Sequence, residues 1–186
     1  MKKTLGLITV LCLAATPALA QKVTIDYAHD YDFQSAKTFQ YVDTEESNAA
    51  NPMMAERIEA LIIKELKEGG GVQVTENPDI FITYHITTAE KTVYNTTSFG
   101  YGGYHGGWGG WGWGSPGMAS STTTQSNYTE GTLIIDAYDA AEKKMIWRAT
   151  GTVTVKSKPE KQVKQVEKIL AKIGKRWDKI LAGQGK

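Results

Sequence analysis

The stretch Ile80-Phe81-Ile82-Thr83-Tyr84-His85-Ile86-Thr87 decides the fold. Ile80, Ile82, Tyr84 and Ile86 point one way, and Phe81, Thr83, His85 and Thr87 point the other. A period of two is the signature of an extended strand with one apolar side. The pattern continues through threonine and valine to about Tyr94, where the composition changes abruptly.

Other strands are legible on either side. Val23 to Ala28 and Thr38-Phe39-Gln40-Tyr41-Val42 precede it, and a short Val72–Val74 strand leads in through the turn Asn77-Pro78-Asp79. Gly131 to Ala137 and Met145 to Val155 follow, separated by a turn over Asp139–Lys144. In the last strand Trp147, Ala149, Val153 and Val155 share one face, and Arg148, Thr150, Thr152 and Thr154 share the solvent side.

Two helices supply the cover. The first runs from Asn51, a capping residue followed by Pro52, to the stop Gly69-Gly70-Gly71. Its Met54, Ile58, Leu61, Ile62 and Leu66 make one apolar stripe. The second runs from about Pro159 to Leu181, with Val163, Val166, Leu170, Ile173, Trp177 and Ile180 as its stripe. Gly174 inside it costs about 1 kcal/mol of helix propensity, which packing must offset. Together these predict an α+β two-layer sandwich, a mostly antiparallel sheet of about six strands covered by two helices.

Composition narrows the class. The 186 residues are 41% hydrophobic and 22% charged, which excludes a chain disordered throughout. Met1-Lys2-Lys3, the apolar run Leu5–Ala15 and the small residues Ala18 and Ala20 read as a secretory signal peptide over residues 1–20. The run is too short to span a bilayer, which needs about 20 apolar residues, and no later stretch reaches that length. Residues 21–186 then form a single periplasmic domain. Cys12 is the single cysteine, and Leu11 before it spoils a lipid-attachment signal, so the soluble product is expected over an outer-membrane lipoprotein. Without a cysteine after residue 20, disulfides, thiol catalysis and thiolate metal sites drop out.

With the elements placed, a family likeness emerges. It is carried by Asp30-Tyr31-Asp32-Phe33, Lys37-Thr38-Phe39-Gln40-Tyr41, Asn77-Pro78-Asp79-Ile80, Gly131-Thr132-Leu133-Ile134-Ile135-Asp136 and Lys144-Met145-Ile146-Trp147-Arg148. In order and spacing these resemble a Gram-negative envelope family, the domain of unknown function DUF4136, whose members are usually labelled lipoproteins. The resemblance spans Asp26 to about Leu181. It implies an envelope location and a compact fold, and it carries no catalytic residues to transfer.

The least ordinary feature is an insertion at about 95–127. Within it, Phe99 to Gly114 holds nine glycines, His105 and six aromatics: Phe99, Tyr101, Tyr104, Trp108, Trp111 and Trp113. Glycine at this density predicts a mobile hairpin tip, and exposed flat rings suit stacking on sugars, a lipid boundary or like segments on other chains. The six aromatics are the candidate binding residues. Phosphate cradling is excluded, because the glycines lie between strands with no following helix or Lys-Ser/Thr ending.

Other chemistry is thin. His29, His85 and His105 lack metal-ligand spacing, and no cofactor is expected. His85 reads as a surface residue, Asp26, Asp30 and Asp32 near His29 as turn formers, and Asp136 with Asp139 as the flanks of a hairpin. From Lys156 to Lys179, nine basic residues against three acids give +6; Gln21–Val155, with nine against seventeen, carries −8. Lys161, Lys164, Lys168, Lys172, Lys175 and Lys179 form a lysine face on the last helix, suited to anionic lipid or glycan and otherwise an ordinary solvated surface. Nucleic acid is not expected for an exported chain.

The reading is an exported, non-enzymatic binding or structural module that displays an aromatic loop to an envelope component, whether protein, glycan or lipid surface. Its alternatives are a hydrolase of envelope material working near Asp136, His85 or the Asp26–Asp32 turn, and a self-associating envelope protein.

Overall fold

The computed structural model describes residues 21–43, 51–99 and 120–184. Six strands and two helices follow in the order β1 (Lys22–Tyr27), β2 (Thr38–Tyr41), α1 (Pro52–Glu68), β3 (Val72–Gln73), β4 (Ile80–Phe99), β5 (Ser120–Asp139), β6 (Met145–Thr154) and α2 (Pro159–Gln184). One sheet is formed, in the order β1-β6-β5-β4-β2-β3. The pairs β1–β6, β6–β5 and β5–β4 are antiparallel, whereas β2 runs parallel to both β4 and β3. The α+β sandwich is the observed fold, with parallel pairing at one margin because α1 carries the chain back between β2 and β3.

Both helices lie on one face. Ile58 and Ile62 of α1 and Ile169, Leu170 and Ile173 of α2 pack onto Phe39, Ile82, Tyr84, Leu133, Ile135, Ala137 and Ala149 of the sheet. Asn51 caps α1 as expected, its side chain accepting from Met53 N at 3.0 Å. Tyr84 is buried beneath α1 and donates to Ala55 O at 3.1 Å.

Two glycines stand at close approaches, one between sheet and helix and one between the helices. A Cβ at Gly151 on β6 would collide with the Cγ2 of Ile169 on α2. A Cβ at Gly174 would stand 3.0 Å from the Glu65 carboxylate of α1, so this helix glycine lies where the two helices meet.

The chain between β1 and β2 crosses the end of the sheet, because those strands lie on opposite sides of it. The crossing is tied at three points. Tyr31 Oη donates to Asp139 Oδ2 at 3.1 Å. Phe33 packs edge-on against Trp177 of α2, their ring centroids 4.8 Å apart. Asp79 Oδ2 accepts from Lys37 N, Thr38 N and Thr38 Oγ1 at 2.8, 2.7 and 2.8 Å.

Candidate functional site: a projecting arm and a polar row

β4 and β5 pair without a break from Ile80–Asp139 to Phe99–Ser120. The regular pattern therefore extends past Tyr94 and begins before Tyr128, beyond the strand limits legible from hydrophobic alternation. The rest of the sheet stops much earlier. β2 accompanies β4 only to Ile82, and β6 accompanies β5 only to the Glu130–Thr154 pair. Val155 N then donates to Thr129 O at 2.8 Å, the last bond from the body.

Residues 91–99 and 120–128 thus form a two-stranded arm. Nine residues at about 3.4 Å each carry its end roughly 30 Å beyond the body. Residues 91–97 and 121–127 are all exposed, including Tyr94 at 65%. Such a ribbon buries little apolar surface, so cross-strand polar pairs must hold its register. They are present: Thr129 Oγ1 donates to Glu90 Oε1 at 2.8 Å, Thr92 Oγ1 to Asn127 Oδ1 at 3.0 Å, and Thr96 and Thr123 share a hydroxyl bond at 3.1 Å.

Of the candidate aromatics, the backbone of Phe99 pairs with Ser120 at the end of the arm. Tyr101, Tyr104, Trp108, Trp111 and Trp113 lie outside the described residues, as does His105. The arm delivers the chain to this glycine-aromatic segment and receives it back.

The sheet face away from the helices carries the other chemistry. Asp26 of β1, Arg148 of β6, Asp136 of β5 and Thr83 of β4 stand in one cross-strand row. Arg148 Nε and Nη2 donate to Asp136 Oδ1 and Oδ2 at 2.6 and 2.8 Å. The Asp136 side chain is only 2% exposed while that of Arg148 is 43% exposed. Hydrogen bonding to Asp136 holds the Arg148 pKa above its ordinary value. Asp136 is therefore a buried ion-pair partner and not a hairpin flank. Asp139 does close the turn, accepting from Glu142 N at 2.6 Å. His85 is half-buried, with Nδ1 3.9 Å from Asp136 Oδ2, and so is not a plain surface residue. His29 lies against Tyr27, their rings 4.4 Å apart. Among the described residues no three His, Cys, Asp or Glu side chains converge as metal ligands. Nor is any helix among them long and apolar enough to cross a membrane.

The residues that carry the family likeness are joints of the architecture. Tyr31 and Phe33 tie the crossing chain, Asp79 clamps the entry to β2, and Asp136 and Arg148 lock β5 to β6. A family model described as "Domain of unknown function (DUF4136)" matches residues 23–175. The chain belongs to this family. No curated protein matches it. Among solved structures, a PDZ domain protein from Parabacteroides distasonis is similar at 13% identity and a TM-score of 0.49, over 79% of this chain and 34% of that one. The chain thus spans about a third of that protein's length. Two structures of the PelC dodecamer from Paraburkholderia phytofirmans are also similar, the first a leucine-to-methionine variant and the second without that substitution. One has 13% identity and a TM-score of 0.42, covering 81% of this chain and 95% of that one; the other has 12% and 0.46, covering 81% and 96%. None of these likenesses bears on what the DUF4136 chain does.

Proposed function

We propose that this protein is an exported, non-enzymatic module of the cell envelope whose β4–β5 arm presents the glycine-aromatic segment to an envelope component. The carrying observation is the arm itself. A ribbon roughly 30 Å long contributes almost nothing to the core, yet it places both ends of a segment holding Trp108, Trp111 and Trp113 far from the body. Surface segments freed from packing are where binding residues concentrate. The polar row supports the non-enzymatic half of the reading, since both oxygens of its buried carboxylate are already engaged by Arg148.

The test compares the wild-type chain with one lacking Phe99–Gly114 and with a Trp108→Ser/Trp111→Ser/Trp113→Ser variant. Retention on cell-wall glycan, lipid vesicles and envelope extract is measured for each. Loss of retention on one of these in both variants, with unchanged melting of the body, is the expected result. Equal retention of all three proteins on all three materials overturns the reading.

A second reading, self-association, is favoured by the edges of the arm. From Thr92 to Phe99 and from Ser120 to Thr129 there is no charged residue and no proline, and the ladder contains no bulge. These are the devices that ordinarily stop edge strands from pairing with another chain. Concentration-dependent elution from a sizing column that disappears on shortening the arm supports it; a single elution position across concentrations removes it.

A further inference from the structure

A groove of about 810 Å³ runs between α2 and the strand edge, apart from the polar row. Lys156, Lys161, Lys164, Lys168, Lys172 and Lys175 line it, and Gln21, Val153 and Thr154 form the opposite wall. Five of these lysines recur at spacings of three and four, so on a helix they stand in one straight row, which Lys179 extends to a length of about 27 Å. The acids of α2, Glu160, Glu167 and Asp178, fall outside that row.

The neighbouring polar groups are already engaged elsewhere. Gln165 Nε2 donates to Thr154 O at 2.7 Å and its Oε1 accepts from Lys156 N at 3.1 Å. Arg176 Nη1 donates to Val23 O at 2.8 Å on the edge strand. Lys172 reaches Gln21 O at 3.4 Å. Lys161, Lys164, Lys168 and Lys175 have neither a carboxylate nor a hydrogen-bond acceptor among the described residues. They are exposed, on a helix whose opposite side is fixed to the core, and the acids of α2 flank the row without closing on it in an ion pair among the described residues.

The composition of the groove selects its partner. Its described lining contains no aromatic residue, so these residues offer no platform for stacking bases or sugar rings. Nor does that lining contain arginine, the side chain suited to bidentate recognition of an individual phosphate. A straight row of mobile point charges instead matches a plane of spaced phosphates. We infer that the α2 lysine row is a docking surface for an anionic phospholipid bilayer, held by charge without insertion. The inference is independent of the role of the arm.

The experiment is sedimentation of the full chain with vesicles of phosphatidylglycerol or of phosphatidylcholine, at low and at high salt. The wild type is expected to sediment with the anionic vesicles only, and to be released by salt. A Lys164→Gln/Lys168→Gln/Lys175→Gln variant removes three charges from the row. At about fivefold per lysine near an anionic surface, its binding should fall roughly 100-fold. The same three positions changed to arginine should bind as the wild type does, which separates loss of charge from loss of fold. A Lys64→Gln/Lys67→Gln/Lys143→Gln control, away from the groove, should also bind normally. All four proteins share one amino terminus, so its apolar run cancels. Absence of wild-type binding, loss in the arginine variant, equal loss in the control, or retention on duplex DNA without vesicle binding each overturns the inference.

Discussion

Arg148 grips both carboxylate oxygens of Asp136 across adjacent strands, at 2.6 and 2.8 Å, on the sheet face that no helix covers. The pair is asymmetric. Asp136 has lost its water, whereas Arg148 still reaches solvent. Removing the arginine therefore leaves a buried anion whose one other basic neighbour among the described residues is His85, at 3.9 Å. Losing one partner of a buried pair costs about 3–5 kcal/mol, and the partial exposure of Arg148 places the expected loss for Arg148→Met near the lower end. Replacing both partners, as Asp136→Leu/Arg148→Met, should recover much of that loss. Urea unfolding of the two single variants and the double variant measures the coupling.

Gly151 and Gly174 should respond with opposite signs. Gly151→Ala drives a methyl group into the branched Ile169 on a packed helix, and overpacking of this kind costs about 1–3 kcal/mol. Gly174→Ala meets only the end of the flexible Glu65 side chain at 3.0 Å, while helix propensity improves by about 1 kcal/mol. Burial and the nearby Glu68 already raise the Glu65 pKa, so swinging its carboxylate outward is not opposed. Thermal melting should therefore drop for Gly151→Ala and rise slightly for Gly174→Ala.

What the sequence made legible was what is local or periodic. The alternation over Ile80–Thr87 gave a one-sided strand, and the three-and-four spacing from Val163 to Ile180 gave a core-facing helix; both need only near neighbours. Local sequence places Asp136 beside Asp139 at a hairpin, whereas its partner Arg148 is fixed by strand register. The partner of His85, Asp136, is likewise set by register and not by near neighbours. The full length of the arm is not legible, because a ribbon exposed on both sides has no hydrophobic period to detect. The lysine row was visible as spacing, but the wall supplied by Gln21, Val153 and Thr154 becomes apparent only once α2 lies along the strand edge.

Acid and alkali should each weaken the fold, acid at the chain that crosses the sheet end and alkali there and beneath α1. The backbone and hydroxyl donors of Thr38, then the backbone of Lys37, hold the Asp79 pKa below its ordinary 3.8, and donation from Glu142 N acts likewise on Asp139. A carboxylate depressed by folding stabilises above its ordinary pKa and loses that contribution as pH falls through the lowered value. Stability should therefore decline below about pH 3.8, less steeply in Asp79→Asn. At the other end, burial first and then the bond to Asp139 push Tyr31 up to about 12, and burial pushes Tyr84 to about 12. Their contributions are complete below the ordinary value of 10.0 and disappear as pH rises to about 12. Ultraviolet titration should show late-ionising tyrosines, one fewer in Tyr31→Phe, with urea midpoints falling across the same window.

Shortening the arm tests whether body and arm are energetically separate. The Glu90–Thr129 pair is the last rung supported from the body, through Thr129 Oγ1 to Glu90 and Val155 N to Thr129 O. Beyond it the described side chains are exposed or half-exposed, and none belongs to the core. Replacing residues 91–128 with Asn-Gly should close Glu90 and Thr129 into a two-residue hairpin, because that dipeptide accepts the positive φ such turns require. The body should then melt within a few degrees of the wild type, and its cooperativity should be unchanged. A variant shortened further, with Asn-Gly replacing residues 89–130, removes the supported rung as well and should be measurably less stable. If the first variant already unfolds, the arm is part of the stabilising core and cannot be a mere carrier for the segment at its end.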